Sequence, residues 1–314
     1  MSLAYLFLIG MAFGAIWIFH DSHSKIAPTQ NILAFEEEHK IVEVVIADVK
    51  TPYVALEIPA ESFLPEPIEE TWQTHAVKVS AVVEGKPQIS IIIDDLGVVR
   101  SRTFDVITLA PPLTLSFLPY APDLYDVTRI ARDKGHELMV HIPMEPKGDK
   151  DPGPHALLTH STDQKILQDL QFNLSRFDGY VGLNNHMGSA FTEDRAGLNL
   201  VLDEVQKRGL LVLDSRTSGK SLFAQMAEER NIPNMTRDLF LDNEQDVDYI
   251  IGQLEKLENM ARRRGTAIAI GHPYKETIKA LSIWLPTLKA KGIAVVPLSH
   301  LIKRKYENIQ LAKR

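Results

Sequence analysis

The sequence predicts a parallel α/β fold, a (β/α) barrel of seven strands. Three observations point there. From Gln88 onward, short apolar runs alternate with amphipathic stretches, the signature of repeated strand and helix. Three of the amphipathic stretches close on a glycine suited to a helix C-cap, namely Gly135, Gly209 and Gly265. No Gly-x-Gly-x-x-Gly follows the first strand, which favours a barrel over an open nucleotide-binding sheet.

The first strand is "ISIIID", 89–94. It runs into adjacent carboxylates, Asp94 and Asp95, with Gly97 two residues later. "LTLSFLP" (113–119) is the second. The helical stretch "LYDVTRIARDKG" (124–135) leads to "ELMVHIP" (137–143), which carries His141 and is followed by Glu145. "TDQKILQDLQFNLSRF" (162–177) precedes "YVGLNN" (180–185), which delivers Asn184, Asn185, His186 and Ser189. "RAGLNLVLDEVQKRG" (195–209) precedes "LLVLDS" (210–215), ending in Asp214, Ser215, Arg216 and Thr217. "DVDYIIGQLEKLENMARRRG" (246–265) leads to "AIAIGHP" (267–273) with His272, and "IAVVPL" (293–298) is the last strand. "RDLFLD" (237–242) reads as one further short strand, whose terminal Asp242 receives no chemical role.

Ahead of this region the character changes. The 18 residues from Ser2 to Phe19 carry no charge. At about 1.5 Å per residue they nearly cross a hydrocarbon core of roughly 30 Å. The segment is apolar on every face, so 1–20 reads as a membrane anchor rather than a core helix. A cleaved signal peptide is the competing reading, weakened by the lack of Lys or Arg before the apolar run. Residues 21–85 mix acids with Pro52, Pro59, Pro65 and Pro67 and read as a largely disordered tether. The folded domain is placed at 86–304, with a basic tail over 305–314.

Composition narrows the chemistry. The chain has 314 residues and a net charge of −7, so no basic face is offered to a nucleic acid. It has no cysteine, which excludes disulfides and thiolate metal sites. Any metal must then be held by His, Asp or Glu. In parallel α/β folds, chemistry collects at the C-terminal ends of the strands. A carboxylate there is often only a helix cap, and a lone histidine is often structural. Of the 11 histidines, His20, His23, His39 and His75 fall in the tether and His155 and His160 in a loop. His136 opens the third strand and His300 follows the last. His141, His186 and His272 remain, at the ends of separate strands. Three such histidines with paired acids suit a hydrolytic metal centre. A divalent ion with N and O ligands acidifies bound water, one carboxylate binds the ion and its neighbour accepts the proton. A histidine opposite can protonate the leaving group.

In this order and spacing, "IIIDDLG", "HIPMEP", "NNHMGS", "LDSRT" and "AIAIGHP" resemble the divergent polysaccharide deacetylase family. That family lies within the polysaccharide deacetylase superfamily, carbohydrate esterase family 4. The resemblance covers about 88–303. It implies a distorted (β/α) barrel, typically of seven strands, and metal-dependent removal of acetyl groups from sugars. It makes Asp94 the general base, Asp95 a metal ligand and His272 the general acid. Ordinary members supply two zinc histidines as His-Ser/Thr-x-x-His. Here Glu145 stands where the second would be, and His186 can complete an Asp95, His141, His186 set for Zn²⁺. Glu145 is the alternative third ligand. Glu145, Asn185 and Arg216 are the candidate substrate contacts. Asn185 and Ser189 can instead shape their loop, and Arg216 can orient Asp94 or form a surface salt bridge.

The expectation is therefore a metal-dependent glycan hydrolase, anchored in a bacterial cell envelope and facing the periplasm or exterior. The alternative is a non-catalytic glycan- or metal-binding envelope module derived from a deacetylase.

Overall fold

A computed structural model describes residues 70–79 and 85–312. The expected membrane segment 1–20 and most of the tether lie outside these residues. Among the described residues, no helix is long and apolar enough to cross a membrane.

The fold is built on parallel strands. β1 (Gln88–Leu96), β2 (Thr114–Phe117), β3 (Glu137–Met144), β4 (Gly182–Met187) and β5 (Leu211–Asp214) lie side by side in chain order. β6 (Asn234–Thr236) extends the sheet beyond β5, while β8 (Thr266–Gly271) and β7 (Leu239–Phe240) extend it beyond β1. The hydrogen-bonded path is thus β6-β5-β4-β3-β2-β1-β8-β7, eight strands rather than the expected seven. A ninth, β9 (Ala294–Val295), pairs with Gln88 and Ile89 of β1. β9 uses the edge of β1 that β2 occupies further along, because β8 pairs with the opposite edge at both levels.

The extra strand has a physical explanation. Much of "IAVVPL" is not strand, because Leu298 already opens a helix. β6, in contrast, is three residues, "NMT", with no apolar alternation to mark it. β6 and β7 are the two ends of the sheet, yet only Arg237 and Asp238 separate them. Two intervening residues bring Thr236 and Leu239 within about 11 Å of each other. The sheet has therefore curled into an incomplete barrel whose ends are joined through the chain itself.

Helices cover the outside: α2 (Arg100–Ile107), α3 (Leu124–Asp133), α4 (Asp163–Leu174), α5 (Arg195–Lys207), α6 (Phe223–Glu229), α7 (Val247–Arg264) and α8 (Lys275–Trp284). α9 (Leu298–Ala312) instead packs Leu298, Leu301 and Ile302 with the residues inside the curl. α9 runs through most of the expected basic tail. Strand alternation sorts the core. Ile89, Ile91 and Ile93 join helix residues such as Val106 and Val127 in the outer core. Ile92, Met139, Leu211, Leu213 and Ile270 converge from four strands inside the curl.

Part of the expected tether is folded against the domain. α1 (Thr71–His75) buries Trp72, whose backbone N–H donates to Gly209 O at 3.0 Å. His75 Nδ1 donates to Tyr180 O at 2.9 Å. Gly209 and Tyr180 immediately precede β5 and β4, so α1 sits at the N-terminal end of the barrel.

Candidate active site

The site lies at the other end. Along β1 the even-numbered side chains point into the curl, which carries Asp94 inside, buried at 2% exposure. Its neighbour Asp95 belongs to the opposite face by alternation. The strand breaks that rule locally: the β1–β2 register shifts between Ile93 and Leu96, and Asp95 has φ +58. This bulge turns Asp95 back toward the mouth, so adjacent acids reach one site. Gly97 follows at φ +102, where a Cβ would lie 2.6 Å from Ala121 Cβ.

β3 and β4 pair in register, His141 beside Asn184 and Pro143 beside His186. Both histidines approach Asp95 Oδ1, His186 Nδ1 at 2.8 Å and His141 Nε2 at 3.2 Å. The two ring nitrogens are 3.3 Å apart. Asp95 Oδ1 is buried and has no aligned hydrogen bond. Three donor atoms thus meet with one acceptor orphaned among them. A tetrahedral ion bonded at about 2.0–2.1 Å holds its ligand atoms roughly 3.3 Å apart. The observed triangle, with sides of 2.8, 3.2 and 3.3 Å, is close to that face. Among the described residues, Asp95, His141 and His186 form the one cluster able to hold a metal ion. The residues fit a divalent cation with mixed N and O ligands.

Electrostatics separates the two acids. Burial holds the Asp94 carboxyl above its usual range, despite the opposing pull of His141 and His272. Burial also pushes Asp95 up, but His141 and His186 outweigh it and hold that carboxyl well below the ordinary range. His272 follows β8, and its Nδ1 donates to Asp242 Oδ1 at 2.9 Å. Asp242 Oδ2 accepts from the His272 backbone N–H at 2.6 Å and from Thr277 Oγ1 at 2.8 Å. Burial opposes the charge on His272. The Asp242 contact, reinforced by Asp95 and Asp94, overcomes that and pushes its pKa up to about 9. The ring neighbours Phe240 and Tyr274, with centroids at 5.9 and 5.6 Å.

Asn184 is fully buried at the centre of this group. Its Nδ2 donates to both oxygens of Asp94, at 2.9 and 3.1 Å, and to Ser215 Oγ at 3.1 Å. Its Oδ1 accepts from His141 Nδ1 at 2.9 Å and from Ser116 Oγ at 2.6 Å.

The structure thus gathers Asp94, Asp95, His141, His186 and His272 at one mouth. The three candidate substrate contacts lie outside the cation cluster. Glu145 Oε2 accepts from Thr159 N and Oγ1, both at 2.6 Å, and Glu145 is outside the metal cluster. Asn185 lies on the opposite face of β4. It donates to Met187 O at 2.7 Å and accepts from Ser215 N at 3.0 Å, so it shapes the loop. Ser189 does likewise, accepting from Lys147 N at 2.8 Å. Arg216 is exposed, and its carbonyl accepts from Arg237 Nη2 at 3.0 Å. Arg237 is half-buried and feels Asp214 and, more weakly, Asp94; it lies 3.6 Å above the Phe240 ring. Sequence reading assigned no role to Asn184, Asp242 or Arg237. For Asp242 a signal existed, since it ends a short strand just as Asp94 and Asp214 do.

The curled parallel sheet thus carries a His-His-Asp cluster, a buried acid beside it and a carboxylate-backed histidine at the same mouth. Residues 91–302 match the sequence profile described as divergent polysaccharide deacetylase. The chain belongs to that family. Among relatives, the uncharacterized protein YibQ of Escherichia coli (strain K12) is 30% identical over 202 residues, 64% of this chain and 63% of that protein. An uncharacterized protein of Haemophilus influenzae is 29% identical over 224 residues, 68% of this chain and 76% of that one. The crystal structure of an uncharacterized protein from Agrobacterium tumefaciens C58 superposes with a TM-score of 0.72. That protein is 30% identical, and the match covers 74% of this chain and 95% of that one.

Proposed function

We propose that the protein is a metal-dependent hydrolase, with zinc as its ion, that removes acetyl groups from an envelope glycan. The observation carrying this reading is the meeting of Asp95, His141 and His186 at one mouth with Asp94 and His272. A divalent ion bound there would polarise the acetyl carbonyl and acidify water. Asp94, held as a proton acceptor by burial, takes the proton from the attacking water. His272, charged near neutral pH and backed by Asp242, gives a proton to the departing sugar nitrogen or oxygen. The C–N or C–O bond of the acetyl group breaks, and acetate and a free amino or hydroxyl sugar leave. Tyr274 beside His272 supplies a ring face on which a sugar can rest. The apolar segment 1–20 supports a membrane-anchored envelope location.

The test is acetate release. The full chain loaded with zinc is incubated with acetylated chito-oligosaccharides and peptidoglycan fragments. Release that stops with a chelator and returns with zinc is expected. Bound zinc with no acetate from any acetylated glycan would support the second reading, a glycan-binding module without turnover. The changed metal motif, with Glu145 where a second histidine would stand, favours that reading.

A further inference from the structure

We propose that Asn184 is a positioning residue whose single carboxamide orients Asp94 and fixes which nitrogen of His141 carries the ring hydrogen. The consequence for metal binding rests on the reading above; the geometry does not. A carboxylate only accepts hydrogen bonds. The end of the Asn184 amide that faces both oxygens of Asp94, at 2.9 and 3.1 Å, is therefore its NH₂. The other end is then the carbonyl oxygen, 2.9 Å from His141 Nδ1. An oxygen there requires a hydrogen on Nδ1. Nε2 of the neutral ring then presents its lone pair toward Asp95 and His186, as a cation ligand must.

The amide cannot flip without losing its hydrogen bonds to Asp94. Turned over, it would set its carbonyl against Asp94 and its NH₂ against His141 Nδ1. Ser116 and Ser215 do not impose an orientation, because a hydroxyl rotates to suit either end. Asp94 thus dictates the amide, and the amide dictates His141. The base and the cation ligand are linked through one residue that lies outside the cation cluster. Its complete burial bars solvent from replacing it.

The test uses the full chain with ¹⁵N-labelled histidine rings, metal-free and zinc-loaded. The His141 signals are identified by their loss in His141→Gln. The wild-type chain should show a slowly exchanging hydrogen on His141 Nδ1 in both states. Asn184→Ala should lose that protection and bind zinc about 10–100-fold more weakly. Asn185→Ala, altered on the opposite face of the same strand, should leave the His141 hydrogen in place. Absence of hydrogen from Nδ1 in the wild-type chain overturns the proposal without any variant. So does unchanged zinc affinity in a folded Asn184→Ala protein. If the wild-type chain takes up no zinc, the metal reading fails, and the Nδ1 hydrogen alone decides the role of Asn184.

Discussion

At the scale of single residues, the two adjacent acids divide the work because their surroundings differ. Asp94 is enclosed and raised by burial; Asp95 faces two imidazoles and is depressed by them. Asp95→Ala should therefore abolish zinc uptake, and Asp94→Asn should retain it while cutting acetate release roughly 10²–10⁴-fold. Zinc per chain and initial rates in both variants check this; full zinc occupancy in Asp95→Ala contradicts the ligand assignment. His272 carries a pH prediction. Its folded pKa, about 9, exceeds the ordinary 6.5. The charged form is thus favoured by folding, so its stabilisation is complete below about pH 6.5 and is lost as pH rises through about 9. The melting temperature of the metal-free chain should fall across that window. Asp242→Asn should flatten the decline, because the main partner of the charge is gone. An unchanged slope would show that Asp242 does not hold the histidine charged.

At the scale of elements, strand alternation explains both what could be read in advance and what could not. His141 and His272 were legible because each ends an apolar run on the inward face. Asp94 was legible for the same reason. Asn184 was not, since "LNN" gives no sign of which asparagine faces in; only pairing with β3 and contact with Asp94 decide it. Arg237 gave no signal, because it sits in the short connection between two tiny strands. The bulge was equally hidden, since a register shift depends on β2. Its tight turn makes a stability prediction at Gly97. Alanine there would need φ +102 and would drive its Cβ to 2.6 Å from Ala121 Cβ. Gly97→Ala should destabilise by about 1–3 kcal/mol, read as a lower urea midpoint. Because the bulge aims Asp95, zinc affinity should weaken as well; an unchanged midpoint would mean the loop relaxes freely.

At the scale of the whole molecule, the curled sheet has one end that carries the chemical side chains and one that carries α1. Parallel strands put every chemical side chain at their C-terminal rim, and α1 is fixed at the N-terminal rim through Gly209 and Tyr180. The repeat of strand and helix made the architecture legible from sequence. The eighth strand and the folded stretch 70–79 were not, because β6 is too short and polar to show, and prolines upstream disguise one buried tryptophan. Trp72 is only 3% exposed and packs with Ile92, Met139 and Leu211 inside the curl. The domain therefore begins before its first strand. Phe63–Arg314 forms one compact unit. A chain starting at residue 63 should match the full chain in urea midpoint. A chain starting at residue 86 loses the Trp72 side chain from the core, and should be less stable by about 3–5 kcal/mol. Because α1 lies at the rim opposite the metal ligands, whatever fraction of the shorter chain remains folded should still bind zinc. Equal midpoints for the two shortened chains would show that α1 contributes nothing to the fold. Loss of zinc binding by folded 86–314 would show that the two rims are coupled.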